Sequence, residues 1–154
     1  MVQPPLSLEA AISGKRIDEA LTKGRQVVYV LHGANDAEVA KEVSKACRAR
    51  YPSAKDLLLV SVVDLKPMAG LWRRMADSQL RQTYEKLTAR AKEHVPGEDP
   101  QEHVLIVADW EGTVRASMGL GGERAAALVV GRDGKPRGSA MAPGLPAKVA
   151  ELLE

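Results

Sequence analysis

Four short apolar runs constrain this chain more than any other feature: Val27-Val28-Tyr29-Val30-Leu31, Leu57 to Val63, Val104 to Ala108 and Ala126 to Val130. They are rich in Val and Leu and do not alternate with polar residues. Alternation would mark a strand with one wet face, whereas continuous runs suit strands buried on both faces, as in a largely parallel sheet covered by helices. The segments between the runs read as helices, so the expected class is α/β. With 154 residues, 45% of them hydrophobic and 27% charged, a single domain over residues 1–154 is expected to bury a sizeable core. Aromatic residues are only 3% and Phe is absent, so that core must be aliphatic. Residues 1–24 are expected to form an N-terminal arm with a helix near Arg16 to Lys23.

The first connecting helix is marked by Asn35 as a cap and Glu38 three residues later as its capping-box partner. Val39, Val43, Cys47 and Tyr51 recur every four residues as one apolar stripe, and Pro52 stops the helix. The second helix is expected over about Met68 to Val95, with a stripe through Trp72, Met75, Leu80, Tyr84, Leu87 and Ala91, closed by Pro96-Gly97. After the third run come the turn Asp109-Trp110-Glu111-Gly112 and a short segment ending in Gly119-Leu120-Gly121-Gly122. The fourth run leads into Arg132-Asp133-Gly134-Lys135, a hairpin signal because Gly accepts positive φ without steric strain. Its partner strand is expected over about Pro136 to Met141. Pro143-Gly144-Leu145-Pro146 then opens a terminal helix containing Val149, Leu152 and Leu153. The order is β-α-β-α-β-(short helix)-β-β-α, and the closing hairpin and helix separate it from folds that alternate strand and helix to the end.

Composition removes several kinds of chemistry. One cysteine, Cys47, leaves no partner for an internal disulfide, a CxxC pair or a Cys-rich metal site. His32, His94 and His103 lack metal-ligand spacing. A net charge of +2 does not demand a polyanion, so nucleic acid is not the expected partner. The first residues have neither a basic nor an apolar leader pattern, and no apolar run approaches the ~20 residues that span a bilayer. A cytoplasmic protein is expected, with no cofactor, no metal and no membrane partner.

Three stretches resemble the peroxiredoxin and redoxin branch of the thioredoxin-like superfamily. They are the strand-loop-helix entry from Val27 to Tyr51, the strand and turn Val104 to Gly112 followed by Ala116-Ser117-Met118-Gly119-Leu120, and the strand and hairpin Ala127 to Lys135. Gly144 before the terminal helix fits as well, and together they cover about residues 24–154. The resemblance implies a thioredoxin-like three-layer α/β/α sandwich around a central mixed sheet of about five strands. The redox site of that family does not carry over. Redoxins place a reactive thiolate at the start of the first helix, where the helix dipole stabilises it. Here that loop reads His32-Gly33-Ala34-Asn35-Asp36. The stretch where many members carry a cis-proline reads Glu123-Arg124-Ala125-Ala126.

A non-redox binding or interaction module is therefore the expected role, its partner left unnamed by the sequence and a protein one candidate. Its candidate contacts are His32, Asn35, Asp36, Glu123 and Arg124, at the carboxyl end of a strand and the start of a helix, where open α/β sheets bind ligands. Cys47 lies twelve residues beyond Asn35, roughly 18 Å along the helix and beyond the reach of its positive end, so it reads as a core residue. A single-cysteine thiol protein using Cys47 is the enzyme alternative. A second alternative is a nucleic-acid or acidic-partner binder through a basic face at Arg73, Arg74, Arg81, Lys86 and Arg90. Asp77, Glu85 and Glu93 interrupt that face, a pattern that usually solvates a helix. Gly119 to Glu123 lacks the spacing of a dinucleotide or P-loop motif and reads as a turn.

Overall fold

The computed structural model describes every residue except Met1, Leu6, Ala69 and Glu123. The arm begins with a small antiparallel ladder of β1 (Leu8–Glu9) and β2 (Arg16–Ile17). One helical turn follows, α1 (Glu19–Thr22), whose first turn is capped by the Asp18 carboxylate accepting from the Leu21 N–H at 3.2 Å. The helix expected near Arg16 to Lys23 is thus shorter than the sequence suggests, because Arg16 and Ile17 are drawn into the ladder.

The main body runs β3 (Gln26–Gly33), α2 (Ala37–Arg50), β4 (Leu57–Asp64), α3 (Arg73–His94), β5 (Leu105–Asp109), α4 (Thr113–Ser117), β6 (Ala126–Val130), β7 (Pro136–Met141) and α5 (Leu145–Leu152). Every apolar run became a strand, and the hairpin at Gly134 (φ +80°) turns β6 into β7 as its Asp-Gly sequence requires. The five strands lie in the order β5-β4-β3-β6-β7, with β3, β4 and β5 parallel and β6 and β7 antiparallel. This is the mixed, helix-covered sheet of a thioredoxin-like α/β fold.

The reason β3 carries an unbroken apolar run is visible in its two faces. Val27, Tyr29 and Leu31 pack with Ala10, Ile17 and Met118 from the arm and the segment closing α4. Val28 and Val30 face the opposite way, against Val43 and Cys47 of α2 and Leu145 and Val149 of α5. On that same side Val63, Val104 and Ile106 receive Ala76 of α3. Arm and α4 therefore form one layer, the sheet the second, and α2, α5 and α3 the third.

Two expectations about the helices need correction. Asn35 does not cap α2: a 3₁₀ turn over Ala34–Asp36 carries the chain out of β3, and α2 begins only at Ala37. Asp36 takes the cap position with φ −109° and ψ 22°, short of the extended shape that aims a side chain at the first N–H groups, and makes no side-chain cap bond. The packed stripe of α3 is also narrower than expected. It runs through Ala76, Leu80 and Tyr84, every fourth residue, while Trp72, Met75 and Leu87 are exposed. The helix covers only the β4–β5 edge of the sheet, so one line of side chains suffices to seal it.

Leu128 sits fully buried at the middle of β6, between β3 and β7. Leu128→Ala is expected to lower unfolding stability by about 2–5 kcal/mol in a denaturant titration, the range for a buried leucine whose cavity relaxes only in part.

Candidate functional site

The carboxyl ends of the three parallel strands are level. Gly33 pairs with Asp64, and Asp64 pairs with Asp109, so these residues form one row along the sheet edge. From the other direction, Leu31 lies opposite Ala126, so His32 and Gly33 run out beside Ala125 and Arg124. Met141 lies opposite Ala126, which brings the end of β7 to the same edge. The Ala142 N–H donates to the Ala125 carbonyl at 2.8 Å and ties that corner together.

The structure places His32, Asn35 and Asp36 at one edge with Arg124. Glu123, the remaining candidate, lies outside the described residues. Asn35, Asp36 and Arg124 are exposed, whereas His32 is buried, its side wall closed by the sheet. Nδ1 of His32 stands 2.8 Å from the Gly33 carbonyl oxygen. A carbonyl only accepts, so Nδ1 carries the proton and Nε2 is left as the acceptor of the neutral ring. Burial pulls the imidazole below its ordinary 6.5, against the opposing pull of the Gly33 carbonyl and the Asp36 charge. The other histidines are engaged elsewhere, His103 Nε2 with Glu98 Oε1 at 2.8 Å and His94 Nδ1 with the Arg90 carbonyl at 2.9 Å. Among the described residues no group of three His, Cys, Asp or Glu side chains gathers as a metal ion would need.

Two buried polar residues that sequence reasoning passed over shape this edge. The Asp109 carboxylate accepts from the backbone N–H groups of Val114 and Arg115, at 3.3 and 3.1 Å, and so holds the start of α4. Arg115 then reaches inward. Its Nε–H donates to the Leu120 carbonyl at 2.6 Å, and Nη2 donates to the Arg124 carbonyl. A planar guanidinium with several fixed donors suits such a clamp on two carbonyls. The segment before β6 is therefore positioned by an arginine, and the cis peptide of the described chain, Ala142–Pro143, falls after β7 instead. Asp109 ended a strand before a glycine turn, which was a usable signal. Arg115 looked like any charged residue of a short helix.

Cys47 is fully buried on α2, ten residues after its first residue and roughly 15 Å along its axis from the sheet edge. The basic residues of α3 do not form a single face. Lys86 and Arg90 lie about 120° and 160° around the helix from Arg74, whereas Arg81 returns to within about 20° of it. Arg73, Arg74 and Arg81 line a shallow depression with Gly70, Asp77 and Ser78 at the start of the helix. The guanidinium of Arg73 stacks 4.5 Å from the centre of the Trp110 ring.

No protein-family model matches this sequence, and no curated protein matches it. Solved structures do. StoA from Bacillus subtilis is 13% identical and superposes with a TM-score of 0.62, over 99% of this chain and 98% of that one. The exposed lipoprotein thioredoxin of Streptococcus pneumoniae is 14% identical with a TM-score of 0.60, over 95% and 96%. A secreted Mycobacterium tuberculosis disulfide oxidoreductase homologous to E. coli DsbE is 15% identical with a TM-score of 0.56, over 94% of each. The likeness extends over nearly the whole length of every chain, so the architecture described above is the thioredoxin-like fold.

The depressed pKa of His32 has a sign that can be checked. The unfolded chain takes up a proton near pH 6.5 and the folded chain only at lower pH, so the stability due to the neutral ring is present above 6.5 and is lost as pH falls through the folded value. The urea midpoint of the wild type is expected to drop between about pH 7 and pH 5, and His32→Gln, which cannot titrate, should flatten that part of the profile.

Proposed function

We propose that this chain is a thioredoxin-fold protein that recognises a protein partner at the carboxyl edge of its sheet and performs no thiol exchange. The solved structures it resembles include proteins named as a thioredoxin and a disulfide oxidoreductase. Dithiol exchange takes two sulfurs at an accessible helix start, and this sequence holds one cysteine.

The burial of Cys47 carries the reading. It packs with Val43, Leu57, Val129 and Val149 between α2, the sheet and α5. Burial pushes its thiol up from 9.0 to about 11, with Arg48 and Arg50 opposing. That shift alone lowers the thiolate fraction at neutral pH about 100-fold, before access is considered. At the edge itself, the positions of a redoxin's reactive loop hold His32, Asn35 and Asp36. These are hydrogen-bonding groups of both kinds, flanked by the cation of Arg124. A polar, mixed-charge edge of this sort suits contact with another protein's loop better than covalent chemistry.

Reaction of the chain with a chromogenic disulfide reagent at pH 7 tests the proposal. The expected result is one thiol titrated promptly in denaturant and reacting at least about 100-fold more slowly in the folded protein. Prompt reaction of the native chain would favour instead a single-cysteine thiol protein working through Cys47.

A further inference from the structure

The start of α3 has a surface that the carboxyl-edge reading leaves unused. Leu71 is 97% exposed, Trp72 57% and Met75 50%, three of the four large exposed apolar side chains among the described residues, within five positions of one another. Apolar residues scattered singly over a surface need no explanation, but a group does. Lys66, Arg73, Arg74 and Arg81 lie close by in the chain, all exposed, and Asp77 is the acid among the residues lining the depression at the start of the helix. None of these four cations forms an ion pair among the described residues. Arg73, Arg74 and Arg81 line the shallow depression beside the apolar group.

We propose that this end of α3 seats on an anionic lipid surface, with Leu71, Trp72 and Met75 entering the interface and Lys66, Arg73, Arg74 and Arg81 meeting headgroup phosphates. Peripheral contact needs no spanning segment, and no helix among the described residues is long and apolar enough to cross a membrane. Shape and charge select this occupant. Leu71 projects from a 3₁₀ turn over Gly70–Trp72, so the apolar group is a knob and not a groove that would receive a helix. Tryptophan belongs at the headgroup level, and each nearby Lys or Arg adds attraction to an anionic leaflet. A second copy of the chain fits poorly, since a two-fold contact would set Arg73, Arg74 and Arg81 against their own equivalents. A nucleic acid would satisfy the cations and could stack on Trp72, but it offers no apolar interior to Leu71 and Met75. The proposal stands independently of the state of Cys47 and of the carboxyl edge.

Co-sedimentation of the full chain with lipid vesicles tests it. With vesicles of phosphatidylglycerol mixed with phosphatidylcholine, binding is expected at low salt and is lost near about 1 M salt, where the Debye length shrinks to about 3 Å. Vesicles of phosphatidylcholine alone should bind about tenfold more weakly or less still. Leu71→Asp, and separately the pair Arg74→Glu and Arg81→Glu, should each weaken binding about tenfold or more while circular dichroism reports a folded chain. Tryptophan emission should move to shorter wavelength on binding in Trp110→Phe and not in Trp72→Phe. Failure of the wild type to sediment with anionic vesicles at low salt overturns the proposal. So does undiminished binding by Leu71→Asp, which would leave a purely coulombic contact. Dimerisation through this patch, or retention on single-stranded DNA without retention on vesicles, overturns it equally.

Discussion

The constraint on which the rest depends is the burial of β3 on both faces. A strand buried from Gln26 to His32 and apolar from Val27 to Leu31 has no wet face, so the chain must supply a cover for each side. Val28 and Val30 call for α2 and α5, while Val27, Tyr29 and Leu31 call for the arm and α4. Once the centre of the sheet is fixed in this way, its neighbours follow: β4 and β6 flank it, one parallel and one antiparallel. The end of β3 is then held between the entry to α2 and the segment before β6. The candidate edge is a consequence of how the core closes.

The same packing decides the fate of the cysteine. α2 must bury a stripe against β3, and Cys47 falls on that stripe one turn beyond Val43, where α5 closes over it. A thiol there serves as a small apolar side chain. At the other end of the helix the chain leaves β3 through a 3₁₀ turn whose side chains point outward, with His32 tucked behind it. The fold has the thioredoxin-like geometry, and the residues placed on this edge give hydrogen bonds and charge.

Much of this was legible in the sequence because buried strands and tight turns leave strong local marks. The Val- and Leu-rich runs located four of the five strands of the main sheet, and Asp133-Gly134 located the hairpin that makes the last pair antiparallel. The order of elements puts the end of β3, with His32 and the turn after it, beside the segment that carries Arg124. What was not legible depended on contacts distant in the chain. Asn35 and Glu38 have the spacing of a capping box, yet the exit from β3 imposes a tighter turn and moves the helix start to Ala37. Trp72 and Met75 continue an apolar pattern, but no element lies over them, so they remain in solvent. Arg115 gave no signal at all, because its worth comes from two carbonyls in a segment with no recognisable motif.

The central claim is that a thioredoxin-like scaffold operates here with its sulfur sealed in the core. The most direct measurement is to hold the folded chain in glutathione buffers poised from about −320 to −180 mV and weigh the intact protein. The account predicts an unmodified mass at every poise. A glutathione adduct on Cys47 of the folded chain, rising and falling with the potential, would contradict it.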